Sequence, residues 1–100
     1  METVTEHDLV YALFVELTER HQEMPLDVHL VVMEAFNTFT DSGYAAPASL
    51  PAVACAPLEE LLQRAGRLLR SLAEDADSLT DALHFSRVWS CLAPVASRLS

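Results

Sequence analysis

Apolar residues return at three- and four-residue intervals in four separate blocks of the chain, and that spacing predicts four helices. In the first block Leu9, Val10, Leu13, Phe14 and Leu17 fall on one helix face. Tyr11, Ala12 and Val15 widen that face, while Glu16 and Arg20 form an i, i+4 pair on the polar side. Thr5-Glu6-His7-Asp8 is a capping-box pattern, so this helix is expected over about 5–21.

The second block predicts a helix over about 25–40. Pro25 suits the first turn and Asp27 complements the helix dipole. Val28, Val31, Val32, Ala35, Phe36 and Phe39 make one stripe, and Leu26, Leu30 and Met33 make a second on another side. The β-branched run from Val28 to Val32 would also suit a strand. Helical spacing persists to Phe39, however, and Gly43 offers a stop, which favours the helix.

The third helix is expected over about 57–75, with Pro57 at its start and Glu59 and Glu60 in its first turn. Leu58, Leu61, Leu62, Ala65, Leu68, Leu69, Leu72 and Ala73 keep helical spacing, and Arg64, Arg67 and Arg70 share the opposite side. Gly66 interrupts this helix at about 1 kcal/mol relative to Ala, which close approach of another helix would explain. Ser78-Leu79-Thr80-Asp81 is a second capping box and opens a fourth helix over about 78–99. There Leu79, Ala82, Leu83, Phe85, Val88, Trp89, Leu92 and Val95 run on, with a kink or break expected near Ser90 because of Pro94.

Short turns within the first and second pairs imply two antiparallel helical hairpins, hence an all-α, four-helix bundle-like fold in a single domain. The connection between the hairpins, 43–56, is rich in Pro and Ala. Pro47, Pro51 and Pro57 forbid a continuous helix through it. Its apolar character predicts that it lies against the bundle.

Composition changes the picture in one respect. Of the 100 residues, 51% are hydrophobic and 21% charged, which excludes a disordered tail and is apolar for so small a chain. The second helix and the connection carry more apolar surface than one small bundle readily covers, and exposed apolar patches mark interfaces. Leu26, Leu30, Met33, Tyr44, Leu50, Val53 and Trp89 are the interface candidates.

The net charge of −9 disfavours direct contact with nucleic-acid phosphates. All the basic residues are arginine, a pattern that fits the codon bias of a GC-rich bacterial genome. The amino terminus lacks the basic and apolar regions of a signal peptide, and no apolar run is long enough to span a membrane. A cytoplasmic location is therefore expected.

Candidate chemistry is sparse. His7, His21, His29 and His84 show no metal-ligand spacing, only Gly43 and Gly66 are available for any phosphate loop, and Ser86, His84 and Asp81 point to different sides of one helix. Cys91 sits about 18 Å along the fourth helix, opposite the middle of the third. Cys55 precedes the third helix on the order of 10 Å further away, beyond the roughly 7 Å that a disulfide spans, so two free thiols are expected.

These observations favour a non-enzymatic interaction protein without cofactor or metal: a small acidic regulator, inhibitor or chaperone-like subunit. It would bind a partner protein, or a second copy as a homodimer, through apolar helix surface. One alternative is a phage-type acidic mimic of nucleic acid, with Glu2, Glu6, Asp8, Glu16, Glu19, Glu23 and Asp27 gathered on one face. Another is a small helical enzyme or ligand-binding bundle using Tyr11, His29, His84 and Trp89.

Overall fold

A computed structural model describes residues 5–41, 51, 53 and 56–99, and these form four α-helices without any strand. They are α1 (Glu6–Glu19), α2 (Leu26–Thr40), α3 (Leu58–Asp75) and α4 (Leu79–Leu99), with a 3-10 turn at His21–Glu23 between the first two. The expected Gly43 stop, and with it residues 42–50, Ala52, Ala54 and Cys55, lies outside the described residues.

Local chemistry sets the helix ends. Thr5 caps α1 reciprocally: its Oγ1 accepts from the Asp8 N–H at 3.1 Å, and its own N–H donates to Asp8 Oδ2 at 3.3 Å. α1 stops at Glu19, short of the expected 21, because the Arg20 N–H is shared between the Glu16 and Leu17 carbonyls and tightens the chain into the 3-10 turn. Pro25 and Pro57 stand one place before the helices they begin, in extended conformation, and their carbonyls accept from His29 and Leu61. Ser78 Oγ accepts from the Asp81 N–H at 3.1 Å and starts α4. α4 runs through Pro94 without a break; Pro94 and Ser90 are both exposed, so water can reach the carbonyl that the proline leaves unserved.

Ring contacts fix how the helices run. His7 lies 6.0 Å from Phe39 and Tyr11 5.2 Å from Phe36, so α1 and α2 are antiparallel. Trp89 packs on Gly66, while Ala73 and Ala82 line one groove, so α3 and α4 are antiparallel as well. His84 reaches the Phe39 carbonyl, which sets the end of α2 beside the start of α4. An Arg20 guanidinium nitrogen donates to the Ala56 carbonyl, which sets the end of α1 beside the start of α3.

Each helix thus has two antiparallel neighbours. α1 touches α2 and α3, and α4 touches α2 and α3. α2 and α3 occupy opposite corners and run the same way, so the chain between them must travel the length of the bundle. At about 1.5 Å per helical residue α2 is roughly 22 Å long, and a 17-residue extended segment, the length between Thr40 and Leu58, spans that distance easily. The long connection is therefore a topological requirement of the fold.

One core joins all four helices, centred on Phe14, Leu17, Val32, Phe39, Leu69 and Leu92. Phe14 stacks on Phe36 at 5.3 Å and meets Phe39 at 5.8 Å. Among the described residues no polar or charged side chain is buried. At about 1.5–3 kcal/mol for each large apolar side chain removed from water, this core is the main source of stability.

Candidate docking surface

α2 carries two apolar stripes because helical spacing places Val28, Val32, Ala35 and Phe39 on one side and Leu26, Leu30, Met33 and Asn37 on another. The first stripe is fully buried. Of the second, Leu26 is 73% and Leu30 59% exposed, and Met33 is half-buried. Asp27, Glu34 and Asp41 follow at seven-residue intervals along one edge of the outward stripe, and all three are exposed. α2 contains no arginine. Leu30, Met33, Glu34 and Asp41 border an open depression of about 550 Å³.

Cys91 of α4, a half-buried free thiol, packs against the core. Burial pushes its pKa up, Glu34 adds to the rise, and Arg87 opposes it. Glu34 and Arg87 thus act on this thiol in opposite senses, and among the described residues neither forms an ion pair within 4 Å.

A second outward stripe lies on α4. Leu79 is 75% and Leu83 55% exposed, and the stripe continues into exposed Ser86 and Ser90. Sequence periodicity had grouped Leu79 and Leu83 with the core residues of α4; the structure separates them. The signal available was the change from leucine to serine at the same spacing, which a core stripe does not tolerate. The Leu26–Leu30–Met33 stripe shows the same change at Asn37.

Between α3 and α4 runs a groove divided by Trp89. On one side, about 330 Å³ is walled by Leu69, Ala73, Ala82 and Phe85, with Arg70 and Glu74 at the rim. On the other, about 240 Å³ is bounded by Gln63, Gly66, Arg67 and Arg70. Arg20 and Arg64 are engaged by Glu16 and Glu60 at 2.9 and 3.3 Å, whereas Arg67 and Arg70 stand exposed at this groove.

The structure places the other interface candidates as follows. Val53 packs against the core, and Trp89 is half-buried on Gly66. Tyr44 and Leu50 lie outside the described residues. Of the acidic residues weighed for nucleic-acid mimicry, Glu2 lies outside the described residues, Glu6 and Asp8 lie in the first turn of α1 and Glu19 at its last residue, Glu16 and Glu23 lie 2.9 and 3.9 Å from Arg20, and Asp27 is in the first turn of α2.

The residues weighed for catalysis occupy different helix junctions. Tyr11 is edge-on to Phe36 between α1 and α2. His84 Nε2 lies 3.2 Å from the Phe39 carbonyl oxygen, which suits the tautomer that donates from that nitrogen. His29 sits half-buried on α2, and Trp89 lies between α3 and α4. His7 stands edge-on to Phe85 at 5.1 Å; burial lowers its pKa from 6.5 and His84 adds to this, against the raising influence of Asp8, Asp81 and Glu6. Among the described residues no three His, Cys, Asp or Glu are placed to share a metal ion, and no helix is long and apolar enough to cross a membrane.

No protein family, characterised protein or solved structure matches this chain.

Proposed function

We propose that the protein is a non-catalytic docking module whose α2 outer face receives an amphipathic helix from a partner protein. The observation that carries this reading is the pair Leu26 and Leu30, both directed outward from a bundle that buries Val28, Val32 and Phe39 of the same helix, beside an acidic edge. The partner helix presents apolar residues at i, i+3, i+4 and i+7, flanked by Lys or Arg that face Asp27, Glu34 and Asp41. A small acidic regulator, inhibitor or chaperone-like subunit would use such a face.

Magnitudes limit the affinity. Covering two leucines contributes about 1.5–3 kcal/mol each, against an association cost of roughly 4–15 kcal/mol. The complex is therefore transient unless Met33 and the acidic edge also engage, and its affinity falls as salt screens the charges.

A synthetic helix with a leucine seam and lysine flanks tests the reading by fluorescence anisotropy, with a glutamate-flanked copy as control. The lysine form is expected to bind at least tenfold more tightly, and Leu26→Ser/Leu30→Ser in this protein to abolish that binding. Equal binding of the two helices, or binding unaffected by the double substitution, refutes it.

A further inference from the structure

The acidic, leucine-bearing face of α2 has a complement on this same chain. The α3–α4 groove offers apolar walls at Ala73, Ala82 and Phe85, and its rim holds two exposed guanidinium groups, Arg67 and Arg70, against a single carboxylate, Glu74. Leu79 and Leu83 precede Ala82 and Ser86 by one helical turn, and so extend the apolar surface along α4. One face thus combines exposed leucines with carboxylates, and the other combines an apolar groove with arginines.

We infer that a second copy of this chain seats the Leu26–Leu30–Met33 stripe of its α2 in the α3–α4 groove, with Asp27, Glu34 and Asp41 facing Arg67 and Arg70. This rests on the reading of α2 as a docking face and names an occupant for it. Charge selects this arrangement over a symmetric one. A contact of α2 on α2 brings two acidic edges together in a helix that has no arginine, and like charges at an interface are costly. Antiparallel pairing sets the rows of Asp27, Glu34 and Asp41 directly against each other.

Geometry decides what such a contact builds. α2 and α3 occupy opposite corners of the bundle, so the two complementary faces point away from each other. A copy that uses one face leaves the other free for the next copy. The contact is heterologous, and it propagates into open chains, or rings if the rotation closes, instead of stopping at a two-fold dimer.

The test is weight-average mass by sedimentation equilibrium over a wide concentration range at low salt. The 11.0 kDa chain is expected to pass beyond twice its monomer mass and to fall back as salt is added. Leu26→Ser/Leu30→Ser removes one face and Arg67→Glu/Arg70→Glu the other; each variant alone should remain monomeric, and an equimolar mixture should stop at a dimer. Restored assembly when Arg67→Glu/Arg70→Glu is mixed with Glu34→Arg/Asp41→Arg would show that the lost contact was electrostatic, not a folding defect.

A wild-type chain that stays monomeric, a mass that plateaus at two copies, or a mixture that fails to associate overturns the inference. The groove variant keeps its α2 face, so it should still bind the lysine-flanked helix. Retained binding with no self-association sinks only this inference, whereas loss of helix binding by the wild type sinks the docking reading itself.

Discussion

Replacing Gly66 with alanine sets two effects of known size against each other. Alanine favours a helix interior by about 0.8–1.0 kcal/mol over glycine. At this position, however, the added methyl would lie 2.7 Å from Trp89 Cη2 and 3.0 Å from Cε3, and nearer still to Cζ3. Carbon atoms rest at roughly 3.5–4.0 Å, so the ring has to move. Overpacking of this kind costs about 1–3 kcal/mol. Trp89 is half-buried beside an open groove, so its ring can swing outward, which holds the penalty below the top of that range. The balance is a net destabilisation of about 1 kcal/mol, lowering Tm by roughly 4–8 °C for a domain of this size.

The assay is favourable because Trp89 is the only tryptophan in the chain. Its emission reports on the perturbed ring directly, and Gly66→Ala should shift it to the red as the indole meets water. Urea unfolding followed at the same wavelength gives the stability change. In a Trp89→Ala background the obstacle is gone, so Gly66→Ala should become stabilising by up to about 1 kcal/mol, read there by circular dichroism. Stabilisation by Gly66→Ala in the otherwise unaltered chain, or the same loss in both backgrounds, would refute the account of this glycine.

Two further outcomes follow from the core and from the histidine at its edge. Phe14 is fully buried and touches both Phe36 and Phe39, so Phe14→Ala should cost about 3–5 kcal/mol, measured by urea unfolding against a typical total of about 5–15 kcal/mol. Burial lowers the folded-state pKa of His7 below 6.5, so in that window the unfolded chain holds more protons. The stabilising contribution is present above 6.5 and is lost as the pH falls through 6.5 towards the folded value. His7→Gln should flatten the dependence of the urea midpoint on pH between about 7 and 5, and an unchanged slope would remove His7 from the acid response.

The helices were legible because their start signals are local. Thr5 with Asp8, Ser78 with Asp81, and the prolines at 25 and 57 each act within one turn, and each helix starts within a residue of its expected place. The end of α1 was less legible, since nothing in His21-Gln22-Glu23 announces that the Arg20 amide will be shared between two carbonyls. Periodicity gives the relative faces of a helix but not which face finds a neighbour. Leu26 and Leu30 were separated from the core because a cleaner stripe competed with them on α2. Leu79 and Leu83 were not, because α4 is apolar along most of its length. The complementary groove was illegible for a different reason: Arg67, Arg70 and Trp89 come together only when α3 and α4 pack side by side.

The parallel, diagonal placement of α2 and α3 also divides the helix contacts into a local set and a set distant in sequence. Each hairpin closes over a few intervening residues and can form locally on a microsecond scale, whereas the α1–α3 and α2–α4 seams join segments far apart in sequence. The two halves are joined by a segment whose extended length exceeds the distance it must cover. Doubling the length of that tether would penalise docking by only about 0.6 kcal/mol. The crossover therefore dictates which halves meet and in what orientation, while leaving its own length almost free to drift.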